Sequence, residues 1–111
     1  MRKILTFILL CLFLSGCGQN KMDEYKKIMS ENEYVIIDVR TKEEYDISHI
    51  KDSINIPYDR IDESLEIDKE TVIFVYCKSG NRSNYAYNVL INLGYTVYDL
   101  GAFQNIDLPK E

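Results

Sequence analysis

Apolar residues along the chain follow two patterns. Ile4 to Leu14 is a nearly unbroken apolar run of eleven residues, interrupted by Thr6 alone. Beyond it, apolar positions come in short periodic groups. Met22, Tyr25, Ile28 and Met29 recur at helical spacing and predict an amphipathic helix over Met22–Glu31. Tyr34 to Val39 is a continuous β-branched and aromatic run, which reads as a strand covered on both faces. Thr41 stands three residues before Glu44, the spacing of a capping box, and starts a short helix through Tyr45. Ser53–Ile56 reads as a second short strand ended by Pro57, which has no N–H to donate to a ladder. Ile61, Leu65 and Ile67 are sparse apolar points in an acidic segment, read as helix then loop.

The clearest unit is the last: strand Thr71–Tyr76, helix Arg82–Leu93, strand Tyr95–Leu100. Ala86, Val89, Leu90 and Leu93 fall on one helix face and Asn84, Asn88 and Asn92 on the other, with Gly94 placed to end the helix. A strand, helix and strand in about thirty residues form a crossover, which requires parallel strands with helices over the sheet. The fold class is α/β, a central parallel sheet flanked by helices.

The first run changes the picture of the whole chain. A membrane-spanning helix needs about 20 apolar residues, so this stretch, preceded by Arg2 and Lys3, has the form of a signal peptide over residues 1–16. Leu14-Ser15-Gly16-Cys17 resembles the lipobox of bacterial lipoproteins. That resemblance implies cleavage before Cys17, lipidation of Cys17, a short tether through Lys21, and a domain over residues 22–111 anchored at the extracytoplasmic face of the cell membrane. The remaining 95 residues suffice for one modest core. Loss of Arg2 and Lys3 takes the formal charge from −5 to −7, which argues against a nucleic-acid partner. Such an acidic domain would not lie flat on an anionic bilayer either, so the lipid is the expected membrane contact. Cys11 leaves with the leader and Cys17 becomes a thioether. Cys77 is then the one free thiol, and no intramolecular disulfide forms.

Cys77 follows a predicted strand and precedes a predicted helix. In parallel sheets that is where ligands bind. A helix N-terminus with cationic neighbours favours the thiolate, the reactive form of the side chain. Within Cys77-Lys78-Ser79-Gly80-Asn81-Arg82, Gly80 lets the backbone turn and successive N–H groups can form an anion nest. Lys78 and Arg82 add positive charge, Arg82 as a fork of donors. Ser83 is placed to cap the helix or to donate to the thiolate. From the loop alone, an activated nucleophile and a buried packing cysteine both stay open.

The wider pattern decides between them. Asp38-Val39-Arg40, Glu44-Tyr45, His49-Ile50, Asn55-Ile56-Pro57, the loop Cys77 to Ser83, and Leu100-Gly101-Ala102-Phe103 together resemble the rhodanese superfamily from about Met22 to Ile106. The last block fits if one residue of spacing variation is allowed. The resemblance implies a three-layer fold with a central parallel sheet. It also implies a sulfurtransferase in which Cys77 accepts a sulfane sulfur from a donor such as thiosulfate and passes the persulfide sulfur to a thiol or cyanide. On that basis the amides of Lys78, Ser79, Gly80, Asn81 and Arg82 would hold the sulfur anion, and Lys78 with Arg82 would orient an anionic donor. A six-residue loop suits sulfur, whereas phosphatase relatives have seven. A non-catalytic persulfide-carrying or binding module is the alternative. Ser48, Ser53 and Ala102 depart from the family's small residues at packing positions. Asp38 with Arg40, and His49, read as structural. Three scattered Met residues and one His argue against a metal site, and no motif calls for a cofactor.

Overall fold

The computed structural model describes residues 20–111. The leader over residues 1–16 and the lipidation expected at Cys17 lie outside the described residues. The chain divides into two units with the boundary after Ser30, and each is described by itself. Helix α1, Asn20–Glu31, lies in the first but for its last residue. It starts two residues before the expected Met22, so Asn20 and Lys21 are helical. Met22, Tyr25, Ile28 and Met29, the residues placed on its apolar face, are its less exposed positions.

The second unit is built on four parallel strands: β1 (Tyr34–Asp38), β2 (Ile54–Asn55), β3 (Val72–Cys77) and β4 (Thr96–Ala102), in the spatial order β2-β1-β3-β4. Helix α2 (Lys42–Ile47) joins β1 to the segment leading into β2, and α3 (Asn81–Asn92) is the crossover between β3 and β4. Every residue of β3 is buried, as a central strand covered on both faces must be. Alternation along the strands assigns the two faces. Ile37, Val39, Ile73, Val75, Cys77 and Val97 join Ala86 and Leu90 of α3 in the main core. The opposite face carries Asp38, Phe74 and Tyr76, with Phe74 stacked on Tyr98 at 5.4 Å.

Local chemistry explains the ends of these elements. Thr41 caps α2 in a complete capping box: its side chain accepts from the Glu44 N–H, and the Glu44 carboxylate accepts from the Thr41 N–H. Gly94, at φ 99°, takes the left-handed conformation that closes α3.

Two differences from the expected elements have physical causes. The segment from Ile61 to Ile67 contains no α-helix: a 3-10 turn at Tyr58–Arg60 precedes it, the Asp62 carboxylate accepts from the Ser64 N–H and hydroxyl, and the Tyr95 hydroxyl donates to the Ile67 carbonyl. Side-chain bonds hold that segment where a helix ladder was expected. Strand β4 runs two residues beyond Leu100. Between Val75 and Tyr76 the register skips Leu100, so that Asp99 faces Val75 while Gly101 faces Tyr76 and Ala102 faces Cys77. Gly101 has φ 86° and its N–H donates to the Asp99 carboxylate. The bulge lies in the same block, Leu100 to Phe103, for which the sequence reading allowed one residue of spacing variation.

Candidate active site

Cys77 ends β3, and Gly80 (φ 105°) precedes α3 as its N-cap. The left-handed turn brings backbone donors back onto the sulfur. The Gly80 N–H donates to Sγ at 2.9 Å and the Ser83 N–H at 3.3 Å. As a thiol, Cys77 has the Ser83 hydroxyl as an acceptor at 3.5 Å, while that hydroxyl donates to the Gly80 carbonyl at 3.2 Å. Two amides at the start of α3 thus converge on one sulfur. Of the five loop residues expected to cradle the sulfur, Gly80 supplies an amide to Sγ. The second amide belongs to Ser83, one residue beyond the expected set. Lys78, Ser79 and Asn81 are exposed. Cys77 itself is 0 % exposed, so its sulfur is covered by the loop and the first turn of α3.

Arg82 stands differently from its expected role. Its fork is taken by Glu44, with Nη1 donating to Oε1 at 2.9 Å and Nη2 to Oε2 at 3.1 Å. The Arg82 fork, opposed by partial burial and assisted by Thr41, holds the Glu44 carboxyl at about 2 against an ordinary 4.5. The same hydrogen bonds raise the Arg82 guanidinium above its usual value. An incoming anion must therefore compete with Glu44 for Arg82. Sequence reading placed Glu44 in a capping box and missed this second use.

Behind the loop lies a buried polar cluster. Asp38 accepts from the Arg40 N–H at 2.9 Å, from Arg40 Nε and Nη2, and from the Tyr76 hydroxyl at 2.7 Å. Arg40 Nη2 also donates to the Ser48 carbonyl, and the Tyr76 hydroxyl accepts from the Ile50 N–H. Burial, with Asp38 beside it, pushes the Tyr76 hydroxyl up to about 12, so it serves as a neutral donor. His49 stacks on Tyr45 at 3.7 Å, its Nδ1 lies 2.8 Å from the Tyr45 carbonyl, and Nε2 is 3.5 Å from Glu111. These contacts hold the ring against α2 and the C-terminal segment.

Comparison with known proteins matches both the sequence and the fold. The rhodanese-like domain family matches residues 21–106. The chain belongs to that family. This rhodanese-like domain is 37 % identical over 78 residues to the thiosulfate sulfurtransferase PspE of Escherichia coli, covering 67 % of this chain and 75 % of that protein. It is 44 % identical over 62 residues to the adenylyltransferase and sulfurtransferase uba4 of Ogataea parapolymorpha, matching 54 % of this chain and 16 % of that longer protein. A solved rhodanese with anions from E. coli superposes with a TM-score of 0.65 at 34 % identity, covering 70 % of this chain and 96 % of that one. The fold and family are those of rhodanese-like domains.

Proposed function

We propose that this rhodanese-like domain is a sulfurtransferase that moves a sulfane sulfur from a donor such as thiosulfate to a thiol or cyanide through a Cys77 persulfide. The observation that carries the reading is the pair of amides, Gly80 and Ser83, converging on Sγ at the C-terminal end of a parallel strand. The Cys77 thiolate attacks the outer sulfur of thiosulfate, a Sγ–S bond forms, and sulfite leaves with the electron pair of the broken S–S bond. The persulfide then gives its outer sulfur to the acceptor and Cys77 regains its thiolate. Lys78, exposed at the loop, provides the positive charge that meets an anionic donor, and Arg82 joins it when Glu44 releases the fork. Mass spectrometry of the purified protein after thiosulfate is expected to show a gain of one sulfur atom that Cys77→Ser abolishes. Absence of uptake from thiosulfate and from an organic persulfide would overturn the reading.

Full burial of Cys77 favours a second reading, a persulfide-carrying or binding module with little turnover. Sulfur uptake without release to cyanide or thiols identifies that case. We further propose that the domain works at the extracytoplasmic face, tethered by lipid on Cys17, as the lipobox-like Leu14-Ser15-Gly16-Cys17 suggests. Stable anchoring takes two or more acyl chains, so the full chain is expected in the membrane fraction and Cys17→Ser outside it. Equal partition of both would remove the anchor.

A further inference from the structure

The inner side of α3 is used by the site and the core: the Ser83 N–H reaches the sulfur, and Ala86 and Leu90 pack under the sheet. Its outer side has no such use. Asn81, Asn84, Tyr85, Asn88, Ile91 and Asn92 are exposed, and at about 100° per residue they fill an arc of roughly 120° centred on Asn88. No charged residue stands in that arc, in a chain that is 28 % charged. The other helices differ. Six of the twelve residues of α1 and four of the six of α2 are charged, whereas α3 has Arg82 alone, and Glu44 holds its fork. Asparagine is one of the weaker helix formers, yet Asn84, Asn88 and Asn92 form a row at four-residue spacing where Lys, Glu or Gln would serve the helix better. The helix itself makes little use of their amides: Asn88 Nδ2 donates to the Asn84 carbonyl at 3.0 Å, and Asn92 makes no side-chain hydrogen bond among the described residues. Tyr85 and Ile91, 55 % and 41 % exposed, flank the row, and Tyr58 meets the Tyr85 ring edge to face at 5.5 Å.

We propose that this face of α3 docks a second copy of the chain, the two helices packing antiparallel about a two-fold axis through Asn88. Charge and self-complementarity choose that occupant. Each copy carries a net charge of −5, so two copies repel unless they approach across a face that brings no like charges together, and the arc on α3 is such a face. An asparagine amide both donates and accepts, so a row of asparagines complements an identical row, as a contact between the same patch on two copies requires. Tyr85 and Ile91 stand on opposite flanks, each three residues from Asn88, and give the contact apolar area on both sides of the axis. Depletion of charge and exposure of tyrosine are the composition of an interface centre. Helix dipoles favour the antiparallel arrangement. Six residues of one helix fall short of the roughly 20–30 a side of a standard interface, so the dimer is weak. Asn81 lies seven residues, about 10 Å, from the axis, which sets the two nucleophile loops about 20 Å apart at opposite ends of the helix pair. The two Cys77 sulfurs do not meet, and no disulfide joins the copies.

Sedimentation equilibrium of the full protein in density-matched detergent, over a concentration series, tests it. Self-association with a Kd on the order of 0.1 mM is expected, tightening as added salt screens the like net charges. Asn88→Lys and Asn88→Glu each set two like charges against one another on the axis, and each variant alone is expected to associate at least roughly tenfold more weakly. Mixed in equal amounts, the two variants bring opposite charges together, and the heterodimer is expected to recover most of the wild-type affinity. Both substitutions put good helix formers at an exposed position, so the fold is kept, and a circular-dichroism melt verifies it. A protein that stays monomeric at about 1 mM overturns the proposal. A dimer that neither variant weakens also overturns it, because the copies then meet on another face. A mixture that associates no better than its components removes the axis through Asn88 and the proposal with it.

Discussion

Two arginine–carboxylate forks stand in this domain, and their surroundings give them different work. Arg40 and Asp38 have side chains 6 % and 0 % exposed, whereas those of Arg82 and Glu44 are 28 % and 29 % exposed. In the inner fork nearly every polar atom is committed: Asp38 serves Arg40 and Tyr76, and Arg40 reaches on to the Ser48 carbonyl. That fork ties the end of β1 to the chain beyond α2 and to the residue before Cys77. The outer fork ties α2 to the first turn of α3, and water can reach both partners. A buried pair is strongly destabilising to break because one charge is left without a partner, while an exposed pair is re-solvated when it opens. The inner fork fixes the wall behind the nucleophile; the outer one can yield to a ligand.

Breaking the inner fork is the largest effect expected. Asp38→Asn keeps the shape but removes the charge facing Arg40, and the expected loss is about 3–5 kcal/mol, a large part of the stability of a domain this size. A fall in Tm of roughly 12 °C or more in a circular-dichroism melt corresponds to that loss. If the loss were under about 1 kcal/mol, the two forks would be energetically alike and the contrast drawn from burial would fail.

The contrast was only half legible in the sequence. Local patterns carried the βαβ unit, the Thr41–Glu44 capping box and the glycine ending α3, because each depends on residues close in the chain. Asp38 and Arg40, two residues apart, were readable as a pair for the same reason. Glu44 and Arg82 are 38 residues apart, so their fork depends on how α2 and α3 are placed around the sheet. The signal available was that both residues fall in the blocks that carry the rhodanese resemblance. The same limit hid the burial of Cys77 and the second amide from Ser83, which follow from the Gly80 turn. It also hid the pocket lined by Arg40, Glu44, Ile47, Lys78 and Phe103, which come from the chain after β1, from α2, from the loop and from the turn after β4. The acidic stretch after Ile61 misled through composition, since its backbone is held by Ser64 and Tyr95 and not by a ladder.

Opening the outer fork has an intermediate effect, seen in rate more than stability. Glu44→Gln frees Arg82 and keeps a carbonyl oxygen to accept from the Thr41 N–H, so the expected loss of stability is about 1 kcal/mol. Uptake of sulfur from dianionic thiosulfate is expected to rise roughly threefold relative to uptake from a neutral donor, measured as single-turnover persulfide formation. A fall for both donors alike would mean that Glu44 holds the loop in its working shape and does not compete with the donor.

The smallest effect is the acid dependence of the outer fork. Glu44 is held at about 2 in the folded protein against an ordinary 4.5, chiefly by the Arg82 fork. A carboxyl whose value is depressed on folding stabilises the fold above its unfolded value and loses that contribution as pH falls through its folded value. The unfolding free energy of wild type minus that of Glu44→Gln is therefore expected to be level from neutrality down to about 4.5. Below that it shrinks, and it is nearly gone at about 2. Since the pair is partly exposed, the whole change is about 1 kcal/mol and diminishes with added salt. Urea melts of both proteins at a series of pH values measure this difference directly, and contributions from the other carboxylates cancel to the extent that they are shared. A difference that stays level through this window would show that Arg82 contributes nothing to holding Glu44 ionised, and the outer fork would then be a contact without coupling.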